Sequence, residues 1–449
     1  MKKGYLMPHP PLIVEGVGDG TEIPATRGAC EQIGREAKTG DADVAVIITP
    51  HSIMYSDYFH ISPGHGASGD FKKFRCPQIG FNVEYDSELA EAIAGFAELD
   101  GIPAGFLGER DSALDHGTTV PLYFTQFKRI VRISLSGLGF IVQYRFGMCI
   151  QKAIDKLKRK AVIIASGDMS HKLGGSYGFS QYGVEHDLYV RESLENSDIY
   201  RLFSITPKVA DNAEECGLRS LMIMCGVFDG LQAECEVLSY ESPFGVGYLT
   251  AKISADAKAE SLLPKLIAAK AAKIRATREM EDPFVKLARA NIEHFTRTGQ
   301  TIALPDDLPT EMMSEKAGVF VSIKKDGNLR GCIGTTAPTA GNIALEIINN
   351  GVSACSRDPR FDPVTPDELD DLTYSVDVLF PPEPIESKSL LDVKRYGVIV
   401  SCGYKRGLLL PNLDGVDSVD EQVSIALQKG GIKPTEKYSM ERFEVVRHK

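Results

Sequence analysis

At 449 residues the chain exceeds one ordinary domain, so two or three domains are expected. Its 43% hydrophobic and 25% charged residues suit a globular protein, and a formal charge of −11 speaks against a nucleic-acid surface, which needs a basic face. The longest apolar runs reach about half a membrane span, no secretory h-region opens the sequence, and nine cysteines without a Cys-x-x-Cys pair suit reduced thiols; the expectation is a soluble cytoplasmic protein with no nucleic-acid or membrane partner.

In chain order, Gly4–Met7 reads as a strand leading into Pro8-His9, and Val44–Thr49 as one leading into Pro50-His51. Asp86–Leu99 places Leu89, Ile93 and Phe96 at helical spacing, and Phe146–Leu157 behaves likewise. That helix feeds the strand Ala161–Ser166, which leads through Gly167-Asp168-Met169-Ser170 into His171. A polar patch, Asn212–Gly217, precedes an apolar helix from Leu218 to Phe228, and Gly245–Ile253 reads as a closing strand. Alternating β and α segments predict a layered α/β domain over residues 1–255. If its strands run parallel, their carboxyl ends share the edge where such folds hold ligands.

Three strand-end histidines on one edge build a metal site more readily than chance turn residues do, although one histidine beside a proline is ordinarily a turn residue. His9 and His51 supply nitrogen donors, and a carboxylate from the Asn212–Gly217 patch completes a set suited to Fe(II), Zn(II) or Mn(II). His116, in Asp115-His116-Gly117-Thr118, and His171 remain for supporting or acid–base work. His60, His65, His186, His294 and His448 lack this context and receive no role.

Residues 256–281 are rich in Ala, Lys, Arg and Glu and predict a helical connector, its cations forming a solvated face. From residue 282 to 449 the pattern predicts an α+β domain. Asp282-Pro283 caps a helix to about Phe295; Gly318–Lys324 and Leu329–Ile333 flank the hairpin turn Asp326-Gly327; Thr373–Phe380, Val398–Ser401 and Phe443–Val446 read as strands; and Ser418–Glu421 opens a helix toward Lys429. Within Leu329-Arg330-Gly331-Cys332-Ile333-Gly334, flanking glycines would let a ligand approach the backbone, and Arg330 would lower the Cys332 thiol pKa. The competing reading, favoured by spacing, makes Cys332 a small apolar residue at a bulge. Arg357 and Arg360 suit an anion pocket or surface ion pairs equally.

Four ordered motifs, Met7-Pro8-His9-Pro10-Pro11, Thr49-Pro50-His51-Ser52, Asp115–Leu122 and Ser166–His171, together resemble the catalytic subunit of class III (LigB-type) extradiol dioxygenases and the related Memo proteins. The resemblance implies Fe(II) on His9 and His51, His171 as acid–base residue, His116 as a second active-site histidine, and a small catechol-like aromatic substrate. Among the dioxygenases the third ligand is a glutamate, mapped to Glu215; the Memo resemblance offers Cys216-Gly217 instead, and Glu214 and Glu241 stay open. Zn, Mn and Cu are the alternative metals. The Leu329–Gly334 hexapeptide with Asp358-Pro359-Arg360-Phe361 resembles the AMMECR domain, which brings no agreed activity, and Arg330 and Cys332 are its candidate residues. The two-domain order resembles the protein A family of the AmmeMemoRadiSam system, implying radical-SAM and Memo-type partners. LigB relatives often form homo-oligomers. The alternatives to ring cleavage are a metal-binding scaffold for a radical-SAM partner and a zinc-dependent hydrolase or lyase.

Overall fold

The computed structural model describes residues 2–18, 20–108, 110, 113–413 and 415–449. The chain divides into Met1–Ala268 and Ala269–Lys449.

Among the described residues, ten strands belong to the first unit: β1 Lys2–Met7, β2 Val44–Thr49, β3 Phe59–His60, β4 Gly66–Phe71, β5 Cys76–Tyr85, β6 Ala104–Gly105, β7 Arg129–Ser134, β8 Ala161–Ser166, β9 Leu231–Glu241 and β10 Tyr248–Lys258. Eight form one sheet in the order β4-β5-β7-β2-β8-β1-β10-β9, while β3 and β6 pair apart. The stretch from β5 through β7, β2 and β8 to β1 is parallel. β4, β10 and β9 join antiparallel at its flanks.

Every residue of β2 is buried, as a parallel strand covered on both faces requires. Its alternate side chains serve two cores. Val44, Val46 and Ile48 pack with Leu6, Val131, Ile163 and the Leu218–Val227 helix. Ala45 and Ile47 pack with Tyr5, Ile130, Ile164 and the helices Pro24–Thr39 and His116–Thr125. The period-2 alternation of strand side chains is what lets one apolar run feed both layers. The closing strand runs on to Lys258, so the connector helix begins only at Leu263 and ends at Glu279.

The second unit holds β11 Gly318–Lys325, β12 Asn328–Gly334, β13 Leu372–Leu379, β14 Glu383–Ile385, β15 Tyr396–Cys402, β16 Lys405–Leu409 and β17 Ser439–His448. They form an antiparallel sheet ordered β12-β11-β13-β17-β15-β16, with β14 on β17. Asp326 (φ 52°) and Gly327 (φ 83°) both take the left-handed conformation, which matches the twist of a two-residue hairpin. Helices Pro283–Thr298 and Ile343–Ser356 cover the β11–β13 region, and Val419–Lys429 covers β15 and β16. Asp282 caps the first of these, accepting from the Phe284 and Val285 N–H groups at 3.0 and 3.1 Å. All nine cysteines are free, and among the described residues no helix is long and apolar enough to cross a membrane.

Candidate metal centre

The order β2-β8-β1 sets three carboxyl ends side by side, with Met7 in register with Ser166. His9 lies just beyond β1 and is 2% exposed. Its backbone N–H donates to Asp168 Oδ1 at 3.0 Å, and its Nδ1 lies 2.9 Å from Ser166 Oγ. In the tautomer that donates from Nδ1, the ring turns an Nε2 lone pair toward His51 Nε2, 2.9 Å away. Cys216 Sγ stands 3.7 Å from His9 Nε2, and the three donor atoms lie within 4.8 Å of one another. His116 stacks on His51 at 4.1 Å between ring centroids and stands edge-on to His9 at 5.1 Å.

Burial is the main cause of each shift in this cluster. It takes His9 well below the ordinary imidazole value, helped by His51, His116 and His171. It lowers His51 against the opposing pull of Asp115, lowers His116 to about 4, and lowers His171. Four neutral imidazoles at neutral pH are therefore available as donors or hydrogen-bonding groups. Burial also raises Asp168 to about 7 and, together with the charge of Asp168, pushes the Cys216 thiol well above its usual value. A cation among these groups would reverse the last two effects, because metal binding favours the deprotonated ligand. The His171 Nε2 is buried without a hydrogen-bond partner among the described residues. Two imidazoles, one thiol and an orphaned ring nitrogen fit a transition-metal site with its reactants.

Glu215, the carboxylate expected as third ligand, is not in this cluster. Its Oε2 accepts from the Leu218 N–H at 2.6 Å, and Arg219 lies 3.9 Å from Oε1. The carboxylate thus serves the amino end of the Leu218–Val227 helix, where exposed N–H groups attract negative charge. Glu214 (φ 50°) pairs with Lys172 at 2.9 Å, and Glu241 accepts from the Thr26 N–H and hydroxyl at 2.7 Å each. What brings Cys216 in is a backbone crossing. A Cβ on Gly167 would lie 2.2 Å from Gly217 Cα, so only glycine permits the approach. There the Cys216 N–H donates to Asp168 O at 3.2 Å and the Asp168 N–H to Cys216 Sγ at 3.2 Å.

Two supports were given no role from sequence. Asp168 anchors His9 and Cys216 from the loop before His171. Asp115 caps the helix that begins at His116, through the Thr118 N–H at 3.0 Å, and accepts the Thr49 hydroxyl at 2.7 Å, whose oxygen receives the His51 N–H at 3.2 Å. Behind it Arg132, its side chain fully buried, reaches Asp115 Oδ2 at 3.6 Å and bonds Ser62 Oγ and Ala113 O at 2.7 and 2.8 Å. The Asp-His step was a legible cap signal; a buried arginine in an apolar strand had no signal beyond its position in Arg129–Ser134.

In the second unit Arg330 grips Glu368 with two bonds, 3.0 Å from Nε and 2.8 Å from Nη2, and donates to Asp362 O at 2.9 Å. That makes it a clamp on the 362–368 segment. Cys332 is held by its backbone, donating to Asp358 Oδ2 at 2.9 Å and accepting from Arg360 at 3.0 Å, and the Ser322 hydroxyl points at its sulfur from 3.3 Å. The neighbouring glycines answer to protein packing. A Cβ on Gly331 would stand 2.3 Å from Ala354 O, and one on Gly334 2.2 Å from the Phe320 ring.

A parallel α/β layer with a histidine–thiol cluster at its carboxyl edge, followed by an antiparallel α+β unit, is the class this architecture defines. The chain belongs to the LigB family: residues 3–251 match the model of the catalytic LigB subunit of aromatic ring-opening dioxygenase, and residues 285–448 match AMMECR1. A Clostridium acetobutylicum protein, CA_C1420, is 42% identical over 99% of this chain and 98% of its own length. A Thermotoga maritima protein is 50% identical over 38% of this chain and 98% of its own. Among solved structures, PH0010 from Pyrococcus horikoshii is 35% identical over 36% of this chain and 88% of that one, with a TM-score of 0.34. JW3007 from Escherichia coli K12 is 14% identical over 57% of this chain and all of that one, with a TM-score of 0.41.

Proposed function

We propose that the first unit is a metal-dependent oxidoreductase of the extradiol-dioxygenase type, with Fe(II) held by His9, His51 and Cys216 and a catechol-like aromatic as substrate. The observation that carries this reading is the convergence of those three donor atoms within 4.8 Å beside His116 and His171. When bound, Fe(II) supplies Lewis acidity and one-electron chemistry. The protein's own groups bind and orient. His171, neutral and with its Nε2 unpartnered among the described residues, takes a proton from a substrate hydroxyl and returns it later. His116, also neutral, offers a ring nitrogen to a second substrate oxygen. Phe74 stands edge-on to His116 at 5.9 Å and Tyr177 tilts against His171 at 5.7 Å, giving aromatic surface for a planar ring.

Metal analysis of anaerobically prepared protein beside His51→Ala, followed by oxygen uptake with catechols and aminophenols, tests the reading. About one iron per chain in the wild type, lost in the variant, with substrate-dependent uptake, is the expected result; iron-loaded protein that consumes no oxygen with the whole panel refutes ring cleavage.

One observation favours a second reading. A thiol in place of the carboxylate shifts metal preference toward zinc or copper, and a Cys-Gly pair is what the Memo resemblance implies at this position. On that reading the unit is a zinc-dependent hydrolase or lyase, active without oxygen, or a metal-binding scaffold that works with radical-SAM and Memo-type partners in the cytoplasm.

A further inference from the structure

A cleft of about 620 Å³ opens in the first unit between the Pro24–Thr39 helix, β5 and the end of the His116–Thr125 helix. Lys38 sits in the last turn before β2 and Lys128 directly before β7, so the end of the cleft that holds these cations is at the amino edge of the parallel strands, whereas His51 follows the carboxyl end of β2. A six-residue strand puts roughly 20 Å between the two edges.

The lining divides into three groups. Arg27 bonds Glu31 at 3.1 Å and lies 4.0 Å from Glu15, so it balances one of the cleft's two acidic charges. Arg35, Lys38 and Lys128 are exposed and, among the described residues, make no ion pair or side-chain hydrogen bond. Phe81, Tyr123 and Phe127, each half-buried, contribute aromatic surface. The remaining acidic charge and the carboxyl ends of the two helices, each end worth about half an elementary charge, offset part of the three cations and still leave a net positive cleft. The two helices approach closely at Gly34 in its wall, where a Cβ would stand 2.5 Å from Phe124 O. The volume falls within the range of small-ligand sites.

We infer that this cleft binds a phosphorylated planar ring, an aryl phosphate or a nucleotide, with Arg35, Lys38 and Lys128 on the phosphate and the aromatic side chains against the ring. A phosphate on three cations gives charge-assisted hydrogen bonds, and the ring gains from stacking and from leaving water. The inference stands apart from the metal and its chemistry.

The test is calorimetric titration of the full chain with phenyl phosphate, AMP, adenosine and inorganic phosphate. Either or both of the first two should bind, whichever source of the phosphorylated ring is correct, at least about tenfold more tightly than adenosine or inorganic phosphate, and more weakly at high salt. Arg35→Gln/Lys38→Gln and Lys128→Gln, surface changes whose folding is checked by circular dichroism, should each weaken binding about tenfold or more. His51→Ala should bind as the wild type does. Failure of phenyl phosphate and AMP alike to bind at about 5 mM, unchanged affinity in the charge variants, inorganic phosphate binding equally well, or loss in His51→Ala would each overturn the assignment.

Discussion

Arg132→Met is the perturbation that reads most directly on how the histidine edge is held. The guanidinium is fully buried, 3.6 Å from Asp115, and removing it leaves that carboxylate charged with three neutral donors, the Thr49 hydroxyl and the Thr118 N–H and hydroxyl. Coulomb attraction at this distance is about 4–5 kcal/mol at an effective dielectric of 20, and breaking a buried pair from one side costs about 3–5 kcal/mol. The surviving donors to Asp115 place Arg132→Met near 3 kcal/mol. Asp115→Asn strands the arginine and sits near the upper end, about 5 kcal/mol. The double variant removes both charges and should cost at least about 2 kcal/mol less than the sum of the singles. The chain has no tryptophan, so urea unfolding is followed by circular dichroism or calorimetry, and two units call for assigning the transition that moves. Metal content measured in parallel should fall in Asp115→Asn, where both the Thr49 tether to His51 and the cap before His116 are disturbed. Additive singles, or an Arg132→Met cost under about 1 kcal/mol, would show that the pair does not hold the edge.

Glu215→Gln should retain metal and lose about 1–2 kcal/mol of stability through its bond to the Leu218 N–H, while Cys216→Ala should lose metal with little change in folding; the reverse pattern, read by elemental analysis and thermal melts, would return the carboxylate to the site. Burial raises Glu368, but the bonds from Arg330, Lys325 and the Thr365 N–H outweigh it and hold it at about 2. A folded pKa below the unfolded value means its stabilisation is full above about pH 4.5 and is lost as pH falls toward 2, on the order of 1–2 kcal/mol after solvent screening. Arg330→Met should flatten the second unit's stability loss across that window in unfolding scans, and a profile parallel to the wild type would refute the clamp. Gly331→Ala should cost about 1–3 kcal/mol by forcing Cβ against Ala354 O; a variant as stable as the wild type would reopen the ligand reading of that glycine.

The elements legible in the sequence are those whose local pattern and burial agree. Val44–Thr49 and Ala161–Ser166 are continuous apolar runs because both faces are covered, and the Asp326-Gly327 turn and the Asp282 cap are decided by residues within hydrogen-bonding reach. Gly66–Phe71 gave no such signal: its Gly-Ala-Ser-Gly-Asp-Phe run is a half-exposed edge strand, placed by pairing with β5. Leu231–Glu241 was legible and overlooked, since Ala233, Cys235 and Val237 alternate with Gln232, Glu234 and Glu236.

The approach of His9 to His51 was legible for a topological reason, while the approach of Cys216 to them was not. His9 and His51 need only parallel strands to meet, and a strand's apolar run announces which end it carries. Glu215 and Cys216 are adjacent, so a bend that turns one toward His9 turns the other away from it. Which one enters depends on the Gly167–Gly217 crossing, a contact between segments about fifty residues apart, and on whether the Leu218–Val227 helix has a side-chain acceptor for its first N–H groups. It has Glu215. The helix end claims the carboxylate, and the thiol, which satisfies no helix N–H, is left to face His9.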